Sequence, residues 1–215
     1  ARMTGDPVLL SCTSGSAGAH YFPALVEANR SRIPLVAVTA DRPAELQGCG
    51  APQTMAQQNL YGGHVRAAAH LKAPSLSDPS HTVISTCRPL FEAALGDCPG
   101  PVHLNMAFRK PLWEVGASLA GVGSMKPAKV ETAPGRLCEG LQDLVEDAQN
   151  SSRGLIVWGA GECGTPGETY KDYRKSLSEQ VQLLSTLTGW PVVSDATAGI
   201  RESQGECVGH IGTAD

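Results

Sequence analysis

PLVAVTADRPAELQGCGAPQ, residues 34 to 53, joins a continuous apolar run to a loop of charged groups and glycines. An apolar run without alternation marks a strand buried on both faces, as in the parallel sheet of an α/β fold. Ligands of open α/β sheets sit outside the carboxyl ends of the strands, so Asp41, Arg42 and Gln53 are expected at the ligand edge. Arg42 can fork onto a carboxylate or a phosphate, and Gly48 and Gly50 let the backbone approach closely. A plain strand exit, with Asp41 and Arg42 solvated or paired with each other, fits the same spacing.

Working outward, PVLLSC at 7 to 12 is a second β-prone run of the same kind. A helix between the two starts near His20, tolerates Pro23 in its first turn, and closes on Arg30 to Arg32, where the dipole favours positive charge. Tyr21, Leu25 and Ala28 share one face of it. The result is a βαβ unit. Residues 54 to 63 read as a short helical turn and 64 to 71 as extended. A Pro/Ser loop at 74 to 80 leads to a helix at about 81 to 96, with Asp78 or Ser80 as N-cap and a kink or restart at Pro89. Residues 102 to 106 form another strand, with Asn105 at its exit.

The first domain spans residues 1 to 115. Residues 116 to 135, rich in Gly, Ala, Lys and Pro without periodicity, read as a linker. A second α/β domain occupies 136 to 215: an amphipathic helix at 137 to 148, a buried strand at 154 to 158, a long helix at 168 to 187 and a parallel strand at 191 to 194.

Composition narrows the function. The chain is 41% apolar and 18% charged with a net charge of −4, and no basic run invites nucleic acid or an anionic membrane. No stretch approaches the roughly 20 apolar residues that cross a bilayer. The seven cysteines are scattered and never in CxxC spacing, which reads as buried free thiols and as neither a zinc site nor a disulfide scaffold. The six histidines are equally dispersed, so no protein-only transition-metal site is expected.

Two segments could carry chemistry. Thr13-Ser14-Gly15-Ser16 follows a strand and opens a helix, where Ser and Thr serve either as N-caps or as a polar pocket lining. No GxSxG elbow accompanies them. Gly159-Ala160-Gly161-Glu162-Cys163-Gly164 satisfies GxGxxG after a strand. That pattern alone is weak, and Asp195 lies further beyond it than the customary spacing of about 20 residues.

Three blocks, TSGSAGAHYFPALVEA (13 to 28), TADRPAELQGCGAPQ and GPVHLNMAFRKPL (100 to 112), resemble the thiamine-diphosphate-dependent 2-succinyl-5-enolpyruvyl-6-hydroxy-3-cyclohexene-1-carboxylate synthases of quinone biosynthesis. The wording of PAELQGCGA and GPVHLNMAFRKPL is similar to that of plant and algal members. The resemblance implies part of a pyrimidine-binding domain followed by part of a Rossmann-like central domain. It implies a homo-oligomeric enzyme that decarboxylates 2-oxoglutarate and adds the succinyl unit to isochorismate, using thiamine diphosphate and Mg²⁺. It further implies that Thr13, Ser14, Gly15 and Gln53 line the cofactor pocket and that Arg42 and Gln53 meet substrate, Arg42 through a carboxylate of isochorismate. Pro52 stands where some members carry Asn, which leaves that one contact in doubt.

The family's cofactor-activating glutamate and its GDG metal segment have no match in these residues. The chain therefore reads as a fragment that binds neither cofactor nor metal by itself and is inactive alone, with no catalytic residue of its own. Its compartment would be the bacterial cytoplasm, or the plastid for a plant or algal source. Two other readings stay open: a truncated interaction or dimerisation module, and a nucleotide-binding oxidoreductase fragment using Gly159 to Gly164.

In the resembled synthases the central domain is structural. NAD, NADP and FAD are accordingly expected neither to co-purify with the chain nor to raise its melting temperature. A ligand at 100 times its dissociation constant would stabilise by about 2.7 kcal/mol, so a saturable shift in a thermal scan would restore the oxidoreductase reading.

Overall fold

The structure, a computed structural model, describes residues 1–2, 6–75, 81–112, 141–159, 170–194 and 211–212. They fall into two compact units, one within residues 6–132 and the other within 133–215. The expected N-caps Asp78 and Ser80, the linker at 116 to 135, Asp195 and the GxGxxG beyond Gly159 lie outside the described residues.

In the first unit β1 (Val8–Cys12), β2 (Leu35–Asp41), β3 (Ala68–Leu71) and β4 (Val102–Ala107) form an all-parallel sheet in the order β1-β2-β4-β3. Parallel neighbours need crossovers. The helix α1 (Phe22–Arg30) supplies one between β1 and β2, and α2 (His81–Leu95) supplies another between β3 and β4. The strand period of two then divides the core. Val36 of β2 joins Leu71, Leu90, Ala94, Val102 and Leu104 in one apolar cluster, which includes the α2 residues. Its neighbour Ala37 joins Leu25 of α1 and Tyr61 in another.

Several expectations are corrected here. The α-helix begins at Phe22 after a 3₁₀ turn over Gly18–Tyr21, with Pro23 in its first turn. The short helical turn expected at 54 to 63 is a turn followed by a 3₁₀ helix at Gly62–His64. β1 is not buried on both faces: it is an edge strand, and Leu9 keeps 60% of its surface exposed. α2 is assigned as one helix through Pro89, without a restart. Asn105 lies within β4, not at its exit. Cys49 and Cys98 are exposed thiols because both sit in surface loops, whereas Cys12 and Cys87 are half-buried.

Arg66 braces the base of this unit. Its guanidinium donates to the side chain of Asn29 at the end of α1 and to the carbonyls of Cys98 and Pro99 ahead of β4. Gly100 leaves room for it, since a Cβ there would lie 2.6 Å from Arg66 Nε and the guanidinium would have to shift.

The second unit contains α3 (Leu141–Asn150), β5 (Ile156–Trp158), α4 (Tyr170–Thr188), β6 (Val192–Ser194) and β7 (Ile211–Gly212). The three strands are parallel in the order β5-β6-β7. Val181 of α4 and Val192 form its small core, with Ile156 and Trp158 packed against them. Ser185 Oγ donates to the Trp190 carbonyl at 2.8 Å and ties the end of α4 to the chain entering β6. β5 is less buried than its apolar run implies, because alternate residues point out and Val157 is 73% exposed. Leu144 and Val145, on the expected apolar face of α3, are exposed as well.

Leu90 is 4% exposed and lies in the cluster shared by α2, β2 and β4. Leu90→Ala should cost about 2 to 5 kcal/mol through lost transfer energy and the cavity left behind. Urea denaturation would show this as a lower midpoint with an unchanged slope.

Candidate functional site

The β2–β4 pairing places Thr39 opposite Asn105, and the β3–β4 pairing places His70 opposite the same Asn105. Asn105 is 1% exposed, so its amide must find partners inside the protein. Its Nδ2 donates to Asp41 Oδ2 at 2.7 Å and to His70 Nδ1 at 3.0 Å. Its Oδ1 accepts from Thr39 Oγ1 at 2.7 Å and from Gln57 Nε2 at 3.1 Å. All four bonds open to an amide are made. His70 must accept at Nδ1, which places its ring proton on Nε2.

Asp41 does not face a ligand as expected. It is 3% exposed, and its Oδ1 accepts from the Arg42 backbone N–H at 2.7 Å and from Gln47 Nε2 at 3.1 Å. Gln47 Nε2 also donates to the Arg42 carbonyl at 3.0 Å. The Arg42 peptide is thus held at both of its polar groups, while its side chain is left out of the pairing. The expected role of Gly48 and Gly50 changes too: a Cβ at either would meet open space, and their positive φ marks them as turn residues.

Thr13, Ser14, Gly15 and Gln53 are brought together. Gln53 Nε2 donates to Thr13 Oγ1 at 2.8 Å and to the Ser14 carbonyl at 3.1 Å. Gln57 Oε1 accepts from the Gly15 N–H at 2.6 Å while its Nε2 donates to the Ala40 carbonyl at 2.8 Å, clamping the loop to the end of β2. Gly15 has φ +84°, and a Cβ there would lie 3.0 Å from Gln53 Cγ. Gln53 itself holds φ +59°, an uncommon conformation for a residue with a side chain. No side chain caps the helix ahead of Phe22 or the 3₁₀ turn before it, so the N-cap reading of this loop fails. Ser14 Oγ is buried with no hydrogen-bond partner among the described residues.

His103 lies on the same face. Its ring meets Tyr61 edge-on at 4.6 Å, and its Nε2 is 2.8 Å from Thr39 Oγ1. The Thr39 hydroxyl proton already goes to Asn105, so His103 donates from Nε2. Nδ1 is then a buried acceptor without a partner. Burial pushes the imidazole down to about 4, because a charged ring would have no water to solvate it.

Arg42 lines a cleft of about 770 Å³ with Gln47, Gln58, His70, Lys72 and Arg109 among its walls. Gln53 is not among the described residues that line the cleft beside Arg42. Among the described residues no carboxylate lines that cleft. Arg109 is engaged by Glu45, Nε to Oε1 at 2.5 Å and Nη2 to Oε2 at 3.0 Å, and this hydrogen bonding holds the Glu45 carboxyl at about 2. Among the described residues neither the Arg42 guanidinium nor the Lys72 ammonium has a partner. The arrangement suits a small anion, with the Arg42 fork available for a carboxylate.

A family model described as the N-terminal TPP-binding domain of thiamine pyrophosphate enzymes matches residues 1–60. A 2-succinyl-5-enolpyruvyl-6-hydroxy-3-cyclohexene-1-carboxylate synthase of Haloarcula marismortui is 37% identical over 94% of this chain and 35% of its own length. Those of Halorubrum lacusprofundi (39%) and Sorangium cellulosum (38%) match 94% and 93% of this chain and 33% of their own lengths. The chain is a homologue of these synthases. It spans about a third of the length of the curated relatives it matches.

For thiamine diphosphate, the described residues offer a partial fit. The 13–15 loop carries a half-used hydroxyl at Thr13 and an orphan hydroxyl at Ser14, which suit the polar edge of an aminopyrimidine. No group of three His, Cys, Asp or Glu side chains converges among the described residues, so none of them forms a cradle for Mg²⁺. Sequence reading passed over Gln57, Asn105 and His103 as site elements. The available signal was a polar residue at odd positions of apolar strands, His103 and Asn105 in VHLNMA.

The buried His103 predicts a pH dependence. Its native value lies below the usual 6.5, so between about 6.5 and about 4 the unfolded chain binds the proton and the native state does not. Stability should therefore be full above pH 6.5 and fall as pH drops through that window, by at most about 1.4 kcal/mol per pH unit for one proton. His103→Gln, measured by urea denaturation across the same range, should flatten that slope.

Proposed function

We propose that this chain is a segment of a thiamine-diphosphate-dependent synthase that decarboxylates 2-oxoglutarate and adds the succinyl unit to isochorismate. Identity of 37–39% to three such synthases along nearly all of this chain carries the reading. It is favoured over a non-catalytic module or an oxidoreductase fragment, since the matched relatives share one printed activity. Residues 1–115 would be the later part of the pyrimidine-binding domain and 136–215 the beginning of the central domain, joined by a linker at 116–135.

When bound, thiamine diphosphate supplies stabilisation for the negative charge left by decarboxylation, and Mg²⁺ would anchor its diphosphate through segments other than these. The residues of this chain orient. Thr13, Ser14, Gly15 and Gln53 would line the aminopyrimidine end, where the exposed Thr13 hydroxyl accepts from Gln53 and keeps its own proton to donate. Arg42 would hold a carboxylate of isochorismate, which its unpaired guanidinium on a cleft with no acidic side chain among the described residues supports. Lys72 on the same wall adds positive potential for a dianionic acceptor. The complete enzyme would work as a homo-oligomer, in a bacterial cytoplasm or a plastid.

Arg42→Ala in the complete enzyme should cost on the order of 2 to 5 kcal/mol of isochorismate recognition. Arg42→Lys, which keeps charge but loses the planar fork, should recover only part of it. Steady-state kinetics with isochorismate varied would show the loss, while cofactor binding and acceptor-free decarboxylation of 2-oxoglutarate should persist. Loss of thiamine diphosphate affinity with an intact isochorismate dependence would refute the role.

A further inference from the structure

We infer that Asn105 is a positioning residue that holds the Arg42 loop and the 13–15 loop in fixed register. Two arms leave its amide. One runs from Nδ2 to the Asp41 carboxylate, which holds the Arg42 N–H and the Gln47 amide, and Gln47 in turn holds the Arg42 carbonyl. The other runs from Oδ1 through the Gln57 amide to the Gly15 N–H. The Arg42 side chain has no partner of its own among the described residues, so its placement depends on this clamped backbone. Asn105 is too buried to touch substrate and acts through these neighbours.

The inference rests on the role proposed above for Arg42. It also states why the residue is an amide. Position 105 donates to Asp41 and His70 and accepts from Thr39 and Gln57, and among side chains the carboxamide offers two donors together with two acceptor directions on one oxygen. In Asn105→Asp a second carboxylate would face Asp41 of β2. The other titratable or charged groups around it are His70 of β3, His103 of β4 reached through Thr39, and Arg42 and Lys72 on the cleft side. Two adjoining carboxylates disfavour joint ionisation, and a shared proton at lower pH restores one donor.

The test uses the complete enzyme loaded with thiamine diphosphate and Mg²⁺. Asn105→Asp should raise KM for isochorismate about tenfold or more at pH 8, because the clamp on the Arg42 loop is broken. The defect should shrink as pH falls towards 6, and acceptor-free decarboxylation of 2-oxoglutarate should change less than about threefold. The exchange Asp41→Asn with Asn105→Asp reverses donor and acceptor, lets His70 donate from Nδ1, and should return KM to within about threefold of the parent.

A KM that is unchanged in Asn105→Asp, or a pH-independent loss that the exchange fails to rescue, would overturn the inference. Should Asn105→Asp alone not fold, the exchange decides: a folded double variant with near-parental KM supports the clamp, and one that remains unfolded or defective refutes it. Arg42→Ala measured beside them separates the two levels. If it leaves KM unchanged, the substrate role of Arg42 falls, and the inference with it. If it raises KM while Asn105→Asp does not, the positioning inference alone falls.

Discussion

A buried carboxamide costs free energy unless both its hydrogens and both its acceptor directions are used, and Asn105 uses all of them. That one requirement binds three strands near their carboxyl ends. Thr39 and Asp41 come from β2, His70 from β3, and Gln57 from the segment between those strands. A slip of β4 by one residue would turn Asn105 and His103 into the apolar cluster and strand their partners. The polar pairing therefore reinforces the register that the apolar side chains already favour.

The sheet divides its labour by face. Val36, Val102 and Leu104 pack with α2 and supply burial without directional demands. The opposite face begins apolar at Ala37 beside Leu25 and Tyr61, then turns polar at Thr39, Asp41, His103 and Asn105. Polar groups at that depth stabilise only when paired. Among the described residues of this unit two buried side-chain atoms are left over, His103 Nδ1 and Ser14 Oγ. The first keeps an imidazole neutral within the core, and the second leaves a hydroxyl on the loop that the cofactor proposal concerns.

Charge is sorted at the cleft as well. Arg109 is tied to Glu45 on its rim, whereas Arg42 has its backbone fixed and its guanidinium unpaired among the described residues. Fixing the peptide while leaving the side chain unpaired is what a recognition arginine needs: little is lost in ordering the loop, and no internal partner must be displaced. The fork then keeps its geometric match to a carboxylate.

The sequence by itself determined the class of fold. Unalternated apolar runs at 7 to 12 and 34 to 39, with a helix between them, dictate parallel strands, since a strand of that composition needs cover that a parallel sheet with crossover helices supplies. Motif wording along the same chain pointed to the synthases that the homologues confirm. Burial was less legible: β1 sits at a sheet edge and β5 leaves Val157 exposed, since the cover of a strand depends on its neighbours and not on its own residues. Only the tertiary structure decided which polar residues serve the site and which serve the scaffold. Asp41 and Arg42 are adjacent in the chain and equally charged in magnitude, yet one is sealed against Asn105 and the other opens to the cleft. That choice is made by residues 64 positions away on β4, where pairing across strands brings together donors and acceptors that no local pattern relates.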